Sequence, residues 1–325
     1  MKRRAFLKTS SLLSLSFLAS PLIKKNFLEG KSYFKNKISL DVDKILDLHS
    51  SLEYKIISRV GGKMSDGLLV PGKPDGMASF NNKGKTVLVR NHELRKGHGI
   101  KSSAFLNGTR EIKALGSKHY DVSAFGGTTN LVYDEKNKRV ESEFLSLSGT
   151  EANCSGGSTP WGTWLTCEES VNKKSKKEKS HGYVFEVYPN DKMNLQKAKP
   201  LKKLGRFNHE AVAFDLFGNA YLTEDRSDGL FYKYKPNKKG DLNNGQLFAL
   251  AIKSPKNFDT RNWDETHFSL KEKHETLWIL LSDIDPKEDT LRLEGREKGA
   301  LIFARGEGII NSPDSIYFTC TSGGL

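Results

Sequence analysis

The chain has 325 residues, long enough for one large domain or two average ones with a full core. Its formal charge is +13, much of it in short lysine clusters (Lys24-Lys25, "NKKSKKEK" at 172–179, Lys202-Lys203) that read as solvated loops. No aromatic interleaving or known module accompanies them, which argues against nucleic acid, while a positive field suits an anionic substrate; three cysteines, an odd number, argue against a disulfide framework.

The first element is "KRRAFLK" (residues 2–8), followed by "TSSLLSLSFLASPLI", about fifteen mostly apolar or small residues. That run is too short to span a bilayer comfortably and fits the apolar region of a signal peptide. Arg3-Arg4 with Phe6, Leu7 and Lys8 resembles the twin-arginine export signal, whose route carries proteins already folded. Residues 1–30 are therefore read as a signal peptide and residues 31–325 as the folded part. The expected partner in export is the twin-arginine translocase. The expected destination is the periplasm or the exterior, with no stable membrane anchor.

Past residue 50 the chain reads as short β-runs between Gly, Asn, Asp and Lys turns, with no long helical periodicity. "EYKIISRV" (53–60) predicts a lone strand. Residues 75–147 predict a four-stranded unit, 154–205 a second and 209–253 a third. Residues 254–298 read as an irregular charged insertion, and 301–320 supply two more strands. The units repeat: "TWLTCEES" (163–170) parallels "AYLTEDRS" (220–227) with Leu165-Thr166 set on Leu222-Thr223, and "HGYVFEVYP" (181–189) parallels "DGLFYKYKP" (228–236). Consecutive four-stranded units with hairpins pointing one way predict an all-β protein of β-propeller architecture, about three and a half blades of it.

An antiparallel hairpin sets the start of its first strand beside the end of its second. Asp75 is thus expected near Glu93, Cys154 near Glu168 and Glu169, Glu210 near Glu224 and Asp225, and Arg305 with Glu307 near Thr319. Carboxylates aimed at one axis repel one another unless cations neutralise them or they protonate. Oxygen ligands suit calcium or magnesium, and a thiolate among them suits a transition metal such as iron. Cys154, just before Gly156-Gly157, is read as a ligand; Cys167 and Trp164 are read as packing. Arg305 shares the facing of Glu307, and its planar fork can clamp a phosphate.

"NCSGGSTPWGTWLTCEE" resembles the signature of PhoX-type alkaline phosphatases. "DGMASF", "VLVRNHE", "GGTTNLVYD", "GRFNHEAVAFD", "YLTED" and "FARGEG" resemble that family's blocks in its order, across roughly residues 50 to 322. The resemblance implies a six-bladed propeller holding iron (Fe3+) and calcium ions at its axis, and hydrolysis of phosphate monoesters. By it Cys154 gives its thiolate to iron, Glu210 and Glu307 bridge iron and calcium, and Arg305 holds the phosphate. Glu93, Glu168 and Glu169 join the metal ligands by register and motif. Family members continue past the "FTCTSGG" block into further blades, so the chain is expected to be an incomplete propeller that is monomeric at full length and nearly inactive as it stands. Two other readings fit the strands: a non-catalytic calcium-binding propeller, and a lactonase-type propeller hydrolase. Cys154 and Arg305 separate them from a phosphatase, since a lactonase needs neither thiolate nor phosphate clamp.

Overall fold

Alternation of apolar and polar residues does set the strands of this chain, whose computed structural model describes residues 38–172, 178–253 and 258–323. The expected signal segment lies outside the described residues, as does the middle of the lysine run, 173–177. The chain divides into two units, Met1–Ile56 and Ile57–Leu325. In the first, β1 (Ile38–Ser39) pairs with β2 (Leu48–His49). Asp41 organises the loop between them, its carboxylate accepting from the backbone N–H of Asp43, Ile45 and Leu46 and from the Tyr54 hydroxyl. The predicted strand at 53–60 does not form, and its residues are irregular. Apolar alternation over so few residues cannot make a strand without a partner edge to supply hydrogen bonds.

The second unit is a succession of antiparallel sheets. β3 (Pro74–Asn82), β4 (Lys85–His92), β5 (Gly126–Asp134) and β6 (Arg139–Thr150) form a four-stranded sheet in chain order, as expected. β7 (Asn153–Ser158), β8 (Trp164–Glu168) and β9 (Val184–Val187) form a second. A single bridge, Phe185 to Pro200, stands in place of the fourth strand expected there, because a proline cannot donate to a ladder. β10 (His209–Phe214), β11 (Ala220–Glu224), β12 (Phe231–Pro236) and β13 (Gly245–Ile252) make the third sheet, and β14 (Thr276–Leu280) adds a fifth strand to it. The segment 254–298 is therefore less irregular than its charge suggests: "TLWIL" pairs with β13 in register, Leu250 opposite Trp278, and Leu291–Glu297 is helical. β15 (Gly306–Asn311) and β16 (Ile316–Cys320) close the series as a hairpin.

Burial follows from stacking sheet on sheet. Every residue of β8 and β10 is buried, as a strand covered on both faces must be, whereas β16 is not buried at any position. Trp164 packs with Val89, Leu147, Phe185 and Val187 between the first and second sheets, its indole N–H donating to Asn91 Oδ1 at 2.9 Å. Cys154, Leu165 and Cys167 pack with Val212, Phe214, Leu222 and Tyr232 between the second and third. Two glycines let the first strands of adjacent sheets touch. A Cβ on Gly76 would lie 2.7 Å from Ser155 Cα, and one on Gly157 would lie 1.9 Å from the Val212 carbonyl oxygen, so neither position admits a side chain. The first strands of consecutive sheets thus run side by side, the arrangement of propeller blades round an axis.

Candidate metal centre

The four inner hairpins carry the same irregularity at the same place. Pairing runs Pro74 with His92, Asn153 with Glu168, His209 with Glu224 and Gly306 with Cys320, and each pairing is followed by a register shift. A bulge adds an unpaired residue, bends the strand and re-aims its side chains. Counted from these pairs, one position on the first strands is Asp75, Cys154, Glu210 and Glu307. The matching position just past the second strands is Glu93, Glu169, Asp225 and Thr321. The sequence alignment of Leu165-Thr166 on Leu222-Thr223 is thereby corrected by one residue: Thr166 lies opposite Gly156 where Leu222 lies opposite Val212.

The bulges bring Cys154, Glu169 and Glu210 together, each offering one ligand atom within 4.8 Å of the others. The Cys154 thiol lies 3.4 Å from the His209 carbonyl oxygen and 3.8 Å from that of Glu210. Burial, then the Glu210 charge, pushes its pKa well above the thiol range. Glu210 is raised to about 8, first by burial and then, against the Cys154 hydrogen bond, by Glu307, Glu169 and Asp225. Glu169 is raised to about 7 by burial, with Arg95 opposing and Asp225 and Glu93 adding to it. Asp75 reaches about 6 through burial, Glu93 and Glu307. These acids perturb one another, so they form one connected cluster of negative charge.

Two arginines flank it. Arg95 binds Glu93 at 2.9 Å and also Glu169, bridging the first and second sheets. Arg305 grips Asp225 with Nε and Nη2, both at 2.7 Å, and reaches Glu307 at 3.0 Å. Its φ of 57° is unusual for a residue with a side chain. Glu307 also accepts from the Thr321 hydroxyl at 2.9 Å, and its carbonyl accepts from Thr223 at 2.6 Å. Of the residues expected at the site, Cys154, Glu169 and Glu210 meet directly. Glu93, Glu307 and Arg305 join them through charge and through the arginine bridges. Asp75, Asp225, Arg95 and Thr321 belong to the same surroundings and were not among the expected ligands. The shared register had set Asp75 beside Glu93 and Asp225 beside Glu210, as the structure has them, without naming either a ligand.

Glu168 is the correction. Its carboxylate accepts from the backbone N–H of Glu151 at 2.9 Å, of Gly182 at 2.9 Å and of Tyr183 at 3.2 Å, and lies 2.7 Å from His181 Nδ1. His181 Nε2 lies 3.1 Å from Asp121. Glu168, the last residue of β8, has its oxygens taken up by these donors, whereas Glu169, just past the strand, meets Cys154 and Glu210. Glu168 instead ties the end of β8 to the start of β9. His92 and Glu224 occupy the same position in their sheets and do the same work. His92 contacts Thr129 at 3.0 Å, and Glu224 accepts from Leu230 N–H at 2.9 Å and Tyr232 O–H at 2.8 Å.

Sulfur and several carboxylates at one point, with pKa values lifted first by burial and then by neighbouring negative charge, suit a bound cation in their donor chemistry. Fold and site together define a β-propeller with an acid- and thiol-lined centre on its inner strands. Comparison with protein families matches residues 34–325 to the family described as alkaline phosphatase PhoX, and the chain belongs to that family. Among solved structures it is similar to Pseudomonas fluorescens PhoX in complex with vanadate, a transition-state analogue. The TM-score is 0.51 at 18% identity, covering 77% of this chain and 58% of that one. Comparison with curated proteins gave no match.

Proposed function

We propose that the chain is a phosphomonoesterase that holds iron and calcium at its inner-strand centre. The observation that carries the reading is the convergence of Cys154, Glu169 and Glu210 within 4.8 Å, beside an arginine whose fork is already aimed at acid oxygens. Cys154 would hold iron with Glu210 and Glu307, and Glu169, Glu93 and Asp75 would complete the oxygen donors for calcium. Bound there, the cations would neutralise phosphate oxygens and charge developing on them. The vanadate complex of the Pseudomonas protein supports a phosphoryl substrate.

The chain's own residues have separable tasks. Arg305 exchanges its carboxylate partners for a phosphate, to which a guanidinium fork is equally matched. Its half-exposed position leaves that exchange open to a substrate from solvent. Until that exchange Asp225 and Glu307 keep the guanidinium beside the centre. Arg95 steadies Glu169 and Glu93. Cys154 and Arg305 favour this reading over a lactonase or a purely calcium-binding propeller. Arg3-Arg4 supports export through the twin-arginine route to the periplasm or exterior, and the reading includes a monomer.

The test is hydrolysis of p-nitrophenyl phosphate by protein loaded with iron and calcium, with and without chelator. Turnover that stops on chelation, together with Arg305→Lys weakening vanadate inhibition about tenfold or more, is the expected result. A loaded protein that binds both metals yet shows no Arg305-dependent vanadate affinity would remove the phosphatase reading.

A further inference from the structure

We propose that the turn between β10 and β11 docks this chain reversibly on an anionic lipid surface. That turn, residues 215–219, presents Leu216 and Phe217 to solvent, 65% and 81% exposed. The corresponding turns of the first and fourth sheets are polar, with Lys83-Gly84 and Ser312-Pro313-Asp314-Ser315. The apolar pair is held out by a turn that bonds to itself. The Asp215 carboxylate accepts from the backbone N–H of Phe217 at 3.0 Å and of Asn219 at 2.9 Å, and from the Asn219 amide at 2.7 Å. The Asp215 carbonyl accepts from Gly218 N–H at 3.1 Å, and the Leu216 carbonyl accepts from Lys239 Nζ at 3.0 Å. Backbone groups already bonded inside the turn cost little to take out of water, which lets its tip enter an apolar layer.

The charge around the tip selects the surface. Lys239 lays its stem over Gly218, where an added Cβ would lie 2.8 Å from Lys239 Cγ. Tyr221 pairs with Lys233 and Ala220 with Tyr234, which sets Lys235 level with Asn219 at the turn. Lys235, Lys238 and Lys239 are exposed, and with Lys233 they outnumber the acids of these two hairpin turns, Asp215 and Asp241. Trp161 of the neighbouring hairpin packs edge-on at 5.3 Å against Phe214 at the base of the turn, its indole N–H donating to Glu186 at 2.7 Å. Two apolar side chains in a collar of lysines match acyl chains beneath anionic headgroups, and a half-exposed tryptophan suits the same boundary. A protein partner would want a broader contact than one protruding turn. The turn lies at the far end of β10 from Glu210, roughly 15–20 Å of extended chain away. Lipid docking at this end is independent of any metal or phosphatase chemistry at the other.

The experiment sediments the full chain with vesicles of phosphatidylcholine, alone or mixed with phosphatidylglycerol. Every variant keeps the apolar run near the N-terminus, so differences between variants report the turn. Leu216→Ser with Phe217→Ser should weaken binding to the phosphatidylglycerol vesicles on the order of tenfold or more, at an unchanged melting temperature. Lys235→Gln with Lys238→Gln leaves the Lys239 bond to the turn in place and should weaken binding about fivefold per lysine, an effect that high salt should mimic. Phe217→Trp adds a reporter at the tip, whose emission should move to shorter wavelength on vesicle addition and be quenched by brominated lipid. Equal binding by the serine variant and the unmutated chain, equal binding to both kinds of vesicle, or tip emission that brominated lipid leaves unquenched would each overturn the proposal. So would a dimer that the serine variant dissociates, because the tip would then be covered by a second copy.

Discussion

Glu168 and Glu169 are neighbours in the chain and belong to opposite regions of the molecule. On one side of the β8 end, Glu168 lies among donors: three backbone N–H groups and His181, whose charge is shared with Asp121. On the other, Glu169 lies among acids, with Arg95 as its cation and the Glu210 carboxylate and Cys154 thiol close by. The contrast is visible in their protonation. The Glu168 and Asp121 carboxylates raise His181 to about 10 against its burial, while burial and like charge raise Glu169 to about 7 and Glu210 to about 8. A buried carboxylate that is saturated with donors is structural; one left short of positive charge is a place for a cation.

The largest expected effect comes from removing the saturated acid. Glu168→Ala strands the His181 charge and three N–H groups, and should cost about 3–5 kcal/mol of stability. Urea unfolding of the metal-free chain measures it, and a loss below about 1 kcal/mol would mean that the donors find water instead. Glu210→Gln should do the reverse. It relieves repulsion in the metal-free centre, so stability at pH 8 should hold or rise, while calcium affinity falls on the order of tenfold or more. Calorimetric titration reads the second quantity; equal calcium binding in both proteins would take Glu210 out of the centre.

pH sharpens the comparison further. Carboxylates raised in the folded state bind protons there that the unfolded chain does not, so the stability they contribute falls as pH rises from about 4.5 to about 8. His181, raised from 6.5 to about 10, contributes stability that is fully present below 6.5 and lost as pH rises through about 10. Cations should flatten the lower window and leave the upper one, and His181→Asn should remove the upper one. Melting temperatures across pH 5–10, with and without calcium, test this. A lower window that calcium does not change would detach those acids from any cation. The smallest effect is expected from Cys167→Ala in the reduced protein, about 1 kcal/mol for a group of roughly one methylene's size, with iron content unchanged. Iron loss matching that of Cys154→Ala would show that both sulfurs are ligands.

Much of the scaffold was legible because its signals are local. The boundaries of the first sheet, the hairpin at 301–320 and the common direction of the inner hairpins follow from alternation and turn residues. Cys154, Glu210 and Glu307 were legible because the repeat placed them at one position. What failed were features needing a partner elsewhere in the chain: the strand at 53–60, the missing fourth strand at Pro200, and β14 within a charged segment.

The sequence by itself determined that this protein is built of short antiparallel strands, and that acids and one cysteine recur at the ends of its inner hairpins. Only the tertiary structure decided which of two adjacent glutamates faces the centre. The donors that saturate Glu168 come from Glu151, His181, Gly182 and Tyr183, and the Glu210 beside Glu169 from the next sheet, so neither is near in the chain. It also decided that Arg95 and Arg305 reach across from one sheet to the next. A cluster of like charge is a property of distance and burial, and no stretch of the chain contains it until the sheets are packed together.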